Sequence, residues 1–362
     1  MKVLMTADAV GGVWTYALDL CSALSERHVE IVLATMGPRP TQEQRTAVAA
    51  LSNVQLVESD YRLEWFAEAW ADVAAAGEWL LDLAAANAVD LVHLNGYSHA
   101  TLPWRRPIVC VAHSCVSTWW QAVYGEAPPL AWNEYRRHVS DGLNSADVVI
   151  APTAAFLQQL SACYKFSRPT HVIRNGRALS VHGCNVPREP LVLACGRPWD
   201  VSKNMRVLDD AARNASWAAY LIGQLTGPDG RSFEPRAVRA VGALSSRDVD
   251  TWMHRASIFA HPALYEPFGL AVVEAAAAGC ALVLADIPTL RELWEGAAEF
   301  FDPRSSQDLR ETIDVLLADS KRQESLAAAA RQRANEYRIE NVAAEYLRTY
   351  RALLERGERT AA

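Results

Sequence analysis

The segment SIFAHPALYEPFGLAVVEAAAAGCALVLAD (residues 257–286) changes its hydrophobic period twice in a short distance. SIFAHPAL is an apolar run that reads as a strand, and YEPFG reads as a turn. LAVVEAAAAG reads as a helix closed by Gly279, and CALVLAD opens another strand. The small alanines let that helix lie close to the sheet it covers.

The same alternation runs through the chain. KVLMTA, EIVLAT, VDLVHL, PIVCVA and DVVIAP read as strands in the first half. LVLACG, AAYLIG, VRAVGA, SIFAHP and CALVLAD do so in the second. Helical stretches such as WTYALDLCSALSE and VAAAGEWLLDLAAANA lie between them. Near-continuous apolar strands separated by helices indicate parallel sheets covered on both faces. The pattern restarts after HGCNVPREP (182–190), a Pro/Gly/polar stretch of linker type. Two Rossmann-like α/β domains are therefore predicted, residues 1–185 and 186–341, with the tail forming two long helices.

The chain has 362 residues, 51% hydrophobic and 21% charged, which suits two globular domains. A net charge of -7 argues against a nucleic-acid binder, which needs a basic stripe. The seven cysteines are scattered and odd in number, with no C-x-x-C pair, the pattern of reduced thiols and not of a zinc site or disulfide frame. MKVLMTADAV lacks the apolar segment of a signal peptide, and no apolar run reaches the ~20 residues of a membrane span. A cytoplasmic location without a transmembrane segment is expected, with peripheral membrane contact left open.

Open parallel sheets bind ligands at the carboxyl ends of their strands, so candidate residues should follow strands. Gly11 and Gly12 follow the first strand, where glycines admit an anion to a helix N-terminus; a tight strand–helix turn is the plainer reading. Gly196 ends the first strand of the second domain, and Arg197 and Lys203 follow it, a forked donor and a point charge suited to a diphosphate or, more plainly, two solvated cations. His113 ends IVCVAH, and HLNGYSH offers Asn95, Tyr97 and His99 as polar groups. Seven of the twelve tryptophans, Trp119 among them, fall between residues 60 and 132. They could stack on a ligand, although large aromatics more often fill cores. Asp248-Val249-Asp250 imitates a metal-binding pair, but LSSRDVDTWMHRA reads as a capped helix start. No metal site is predicted.

In the opening segment, Glu266 projects from the turn, and Glu274 sits one helical turn past Leu270 on the same face. Between them, Phe268, Gly269 and Leu270 present N–H groups at a helix start, where an anion is favoured. This layout suits phosphates held between two sets of hydroxyls, the order found in a nucleotide sugar. The plainer reading is a solvated Glu266 and a Glu274 stabilised by the helix dipole.

EPFGLAVVE resembles the E-x7-E motif of retaining GT-B glycosyltransferases, most closely glycosyltransferase family 4. GGVWTYALDL, VIRNGR (172–177), GRPWDVSKN, YLIGQ and VGALSSRDVD extend the resemblance. It implies a GT-B architecture: two Rossmann-like domains with parallel sheets facing a central cleft, and a C-terminal helix (about 342–358) crossing back to the first domain. It also implies a retaining, metal-independent hexosyltransferase that needs no cofactor, uses a UDP-, GDP- or ADP-sugar, and acts on a hydroxyl of a sugar, lipid-linked sugar or small metabolite. By the resemblance, Arg197 and Lys203 hold the diphosphate, Glu266 the sugar hydroxyls and Glu274 the ribose. Gly11, Gly12 and Gly196, and the backbone of Phe268, Gly269 and Leu270, approach the donor, while Ala243 and Leu244 meet the base. His113 lies near the sugar, where it positions it or stabilises charge. Asn95, Tyr97, His99 and Trp119 are the acceptor candidates.

Two departures stand out. Arg174 replaces the proline that often precedes Asn-Gly in the family, and ADIPTLREL carries Pro288 and Thr289 where glycines are common. An epimerase of the same fold and a non-catalytic nucleotide-sugar-binding subunit are the alternatives. Residues 1–186 hold 13 Lys and Arg against 17 Asp and Glu, which leans toward a soluble acceptor.

Overall fold

A computed structural model describes residues 1–179, 188–227 and 230–361. The chain forms two compact units: Met1–Gln121, Glu126–Ala178 and Ile339–Ala362 in the first, Ala122–Gly125 and Leu179–Arg338 in the second. The boundary read from HGCNVPREP falls largely on residues 182–187, outside the described residues.

The first unit holds seven parallel strands: β1 (Lys2–Asp8), β2 (Glu30–Met36), β3 (Val54–Glu58), β4 (Leu91–Leu94), β5 (Ile108–Val111), β6 (Val148–Ala151) and β7 (Thr170–Val172). Their order is β3-β2-β1-β4-β5-β6-β7. Helices α1 (Gly12–Ser25), α2 (Gln42–Ala49), α3 (Trp70–Ala86), α4 (Val116–Tyr124), α5 (Asn133–Ser145) and α6 (Ala154–Cys163) connect them. β4, β5 and β6 are buried along their whole length, as expected of strands covered on both faces. β3 and β7 were not predicted. They are the sheet's edges, more exposed and too short to give an apolar run.

The second unit has β8 (Glu189–Cys195), β9 (Ala218–Ile222), β10 (Arg239–Gly242), β11 (Ala256–His261), β12 (Ala281–Ala285) and β13 (Glu299–Phe301), in the order β10-β9-β8-β11-β12-β13. Its helices are α7 (Met205–Ala212), α8 (Ser246–Arg255), α9 (Leu270–Ala278), α10 (Pro288–Trp294), α11 (Ser306–Ala318) and α12 (Ser320–Ala334). The segment that opened the sequence reading forms β11, α9 and β12, with β11 and β12 parallel. Gly279 closes α9 in the left-handed conformation, at φ 87°. Gly223 follows β9 at φ 148°, and a Cβ there would lie 1.9 Å from the Gly196 carbonyl oxygen, so only glycine fits.

Helix α13 (Ile339–Ala361) is assigned to the first unit and packs on α1. Its tyrosines, Tyr346 and Tyr350, are fully buried beside Tyr16 and His93. Asn175-Gly176 receives its start: a Cβ on Gly176 would lie 2.7 Å from Val342, and Ile339 N–H donates to the Arg177 carbonyl at 3.0 Å.

Candidate functional site

Each sheet reverses its strand order once, between β1 and β4 in the first unit and between β8 and β11 in the second. Loops leaving the carboxyl ends of two such neighbours diverge to opposite faces and open a crevice. Gly11, Gly12 and Asn95 follow the first pair, and Gly196, Arg197, Lys203 and Glu266 the second, while His113 follows β5 and Ala243 and Leu244 follow β10.

In the second unit, the loops after β8 and β11 are stitched together. Leu264 N–H donates to the Ser202 carbonyl at 2.8 Å. Asn204 Nδ2 donates to the Pro262 and Pro303 carbonyls at 2.9 and 2.7 Å. Asp200 accepts from Ser202 N–H and Oγ–H, fixing the turn that carries Lys203. Lys203 Nζ thereby reaches Glu266 Oε2 at 2.8 Å, with both side chains 14% exposed. His261, 2% exposed at the end of β11, places Nε2 3.0 Å from the same oxygen. Burial alone would raise the Glu266 carboxyl, but Lys203 and then His261 hold it well below the usual carboxylate range.

The sequence reading treats Glu266 and Lys203 separately and does not foresee their contact. In this structure they form one buried ion pair. His261 went unnoticed because it reads as one more residue of an apolar strand. The separation of His261 and Glu266 by a single turn was the available signal. Arg197 is more open, 43% exposed, 3.3 Å from Asp200 and beside the Trp199 ring.

Helix α9 begins next to this cluster. Gly269 is its N-cap at φ 90°, without a side-chain cap. The first helical bonds run from Val272 and Val273 N–H to the Gly269 carbonyl, so Leu270 N–H lies ahead of the ladder. The Phe268 ring is 2% exposed and packs edge-on against Tyr337 at 5.5 Å, so only its backbone can serve a ligand. Glu274 is half-buried on α9, and its charge adds to burial in raising the Cys195 thiol at the end of β8. Thr289 Oγ1 donates to the Glu266 carbonyl at 2.6 Å, so the departure in ADIPTLREL braces the Glu266 turn. Ala243 and Leu244 follow β10. The segment leading into β10 is pinned by Asp209, which accepts N–H bonds from Arg236, Ala237 and Val238.

Asp248 lies in the first turn of α8 and takes part in its cap. Its N–H donates to Ser245 Oγ at 3.2 Å, and Ser245 Oγ–H donates to its carboxylate at 2.7 Å.

In the first unit, Gly11 is the N-cap of α1 at φ 82°, and Gly11 and Gly12 are exposed. His113 Nε2 lies 2.8 Å from Asn95 Oδ1. Burial, with the neighbouring His93 adding, pushes His113 down to about 3. That shift favours the neutral ring, which suits positioning of a ligand better than a fixed positive charge. Two acceptor candidates turn inward. Tyr97 is 3% exposed and its hydroxyl donates to the Ser114 carbonyl, while His99 Nε2 donates to the Val73 carbonyl. Trp119 is half-buried in α4 beside Trp120. Several other tryptophans pack within the unit: Trp70 stacks on His138, Trp79 lies against Tyr61, and Trp104 donates to the His99 carbonyl.

Residues 10–181 match the family model described as Glycosyltransferase Family 4, and residues 235–333 that of Glycosyl transferases group 1. A Campylobacter jejuni protein named N,N'-diacetylbacillosaminyl-diphospho-undecaprenol alpha-1,3-N-acetylgalactosaminyltransferase is 29% identical over 189 residues, 50% of each chain. The chain spans about half the length, or less, of the curated relatives it matches. Among solved structures, sucrose-phosphate synthase from Thermosynechococcus elongatus superposes with a TM-score of 0.82 at 18% identity, covering 98% of this chain and 99% of that one. HepE from Anabaena, solved in complex with UDP-glucose, gives 0.76 at 19% identity, covering 98% and 100%. Both share the fold of this chain. Among the described residues, no helix is long and apolar enough to cross a membrane.

Proposed function

The chain belongs to the group 1 glycosyltransferases of GT-B fold, and from that premise we propose that it moves a hexose from a nucleotide-diphosphate sugar to a hydroxyl acceptor. The transfer retains anomeric configuration and uses no metal ion. The observation that carries this reading is the Lys203–Glu266–His261 cluster beside the open start of α9, at the switch point of the second sheet.

The chemical difficulty is departure of a charged diphosphate. Lys203 has three N–H donors; Glu266 takes one, leaving two for phosphate oxygens. Arg197 offers a forked donor, and Leu270 N–H lies at the positive end of α9. These groups are fixed before the bond breaks, the condition under which electrostatic stabilisation is most effective. Glu266, kept ionised, accepts from sugar hydroxyls, and Glu274 accepts from the ribose. In the reaction the anomeric carbon–phosphate oxygen bond breaks, and the acceptor oxygen bonds to that carbon on the same face. The acceptor's proton passes to the departing phosphate.

The donor class is supported by the UDP-glucose bound to HepE. For the acceptor, the relative named for a diphospho-undecaprenol substrate supports a lipid-linked sugar as one member of the class. The test is incubation with UDP-, GDP- and ADP-sugars, following thermal shift and nucleotide release. Binding and release with one donor is expected; neither with any donor would overturn the proposal. NMR of the product anomer and assay in EDTA check retention and metal independence. An epimerised nucleotide sugar with no transfer would favour the epimerase.

A further inference from the structure

The hydrogen bonds around Asn95 determine which nitrogen of His113 carries its proton. The Thr6 carbonyl can only accept, and Asn95 Nδ2 lies 2.6 Å from it. The amide oxygen must therefore be the atom facing the two imidazoles, His93 Nε2 at 3.0 Å and His113 Nε2 at 2.8 Å. An oxygen accepts, so both Nε2 atoms carry hydrogens. His93 Nδ1 is then a lone pair, and Tyr350 Oη, 2.6 Å away on α13, donates to it. His93 and Tyr350 are wholly buried, so an orphaned polar atom among them would be costly.

We infer that Asn95, His93 and Tyr350 are positioning residues that hold His113 as the neutral Nε2–H tautomer, presenting Nδ1 as a hydrogen-bond acceptor. Given the glycosyl-transfer reading, on which the functional consequence rests, Nδ1 accepts from a hydroxyl of the ligand held at the carboxyl ends of the first sheet. His113 therefore gives no proton to phosphate or to the leaving group. Asn95, an acceptor candidate by sequence, acts here through His113. The groups around His113 support a neutral ring: His93 from β4, Tyr16 from α1 with its ring 4.5 Å away, and Tyr346 and Tyr350 from α13, grouped around His93. No carboxylate is among them.

The test uses the full chain labelled with 15N-histidine, with two-bond 1H–15N correlation at pH 7. His113 is expected as Nε2–H; an Nδ1–H pattern or an imidazolium overturns the inference. Asn95→Asp keeps the size, gives up the bond to the Thr6 carbonyl, and places a carboxylate against both rings, which favours their charged forms. His113 should then titrate at higher pH, and release of nucleotide from the active donor should become pH-dependent, falling roughly tenfold where the ring is charged, the equivalent of one hydrogen bond. A flat profile matching the wild type overturns it. Tyr350→Phe retains the ring, and should mix the His93 tautomers and broaden the His113 signals; unchanged spectra count against the chain of bonds. Wild-type nucleotide release is measured in parallel, so a wrong tautomer with intact release refutes this inference alone. Absence of release with every donor refutes the glycosyl-transfer reading instead.

Discussion

Replacing Lys203 by methionine keeps most of the side-chain volume and removes the charge that faces Glu266. At 2.8 Å and an effective dielectric of ~20, the Coulomb attraction of the pair is about 6 kcal/mol, and desolvation of both groups offsets part of it. Removing one partner of a buried pair costs ~3–5 kcal/mol, because the other charge is left uncompensated. His261 still donates to Glu266 in the variant, which places Lys203→Met near the lower end, about 3 kcal/mol. For a unit of this size, ~2–4 °C per kcal/mol gives a fall in Tm of roughly 6–12 °C.

The pH dependence has a definite sign. The folded Glu266 carboxyl lies below its ordinary value of 4.5, so its contribution is present above 4.5 and is lost as pH falls through the depressed folded value. The Tm difference between wild type and variant should therefore shrink on acidification below 4.5, and stay flat between pH 6 and 8. Calorimetry across that range is the assay, paired with nucleotide release, which should fall by ~100–1,000-fold if Lys203 also stabilises the leaving diphosphate. A variant with wild-type Tm at pH 7 would refute the energetic argument. Wild-type release would refute the catalytic role.

Three further outcomes are expected. Gly223→Ala should cost more than ~3 kcal/mol or prevent folding of the second unit, since its Cβ would overlap the Gly196 carbonyl; chemical denaturation with a wild-type midpoint would contradict this. Glu274→Ala should weaken binding of the free nucleoside diphosphate roughly tenfold with little change in Tm, as titration calorimetry would read, and unchanged affinity would count against ribose recognition. Ser245→Ala should lower stability by about 1 kcal/mol through loss of the α8 cap, while turnover with and without added Mg2+ stays as in the wild type; a metal-dependent loss of turnover would revive Asp248 and Asp250 as a metal site.

Periodicity alone fixed the order of most strands and helices, because each period is a local property of a few consecutive residues. It placed β11, α9 and β12 and the glycine that ends α9. LSSRDVDTWMHRA was legible as a capped helix start, since the capping serine, Ser245, and the N–H it accepts from lie three residues apart. The edge strands β3, β7 and β13 were missed: they are short, and their pairing comes from a neighbour in space. The candidate residues were legible one by one, as polar groups following apolar runs, but their partnerships were not. Lys203 and Glu266 are 63 positions apart and meet because β8 and β11 are hydrogen-bonded neighbours across the sheet's reversal. His93 and Tyr350 are 257 apart and meet because α13 packs with the first unit. Sequence determined which groups stand at the ends of strands. Tertiary structure decided which of them share a proton or a charge, because hydrogen bonds and ion pairs depend on distances of a few ångströms that chain spacing does not encode.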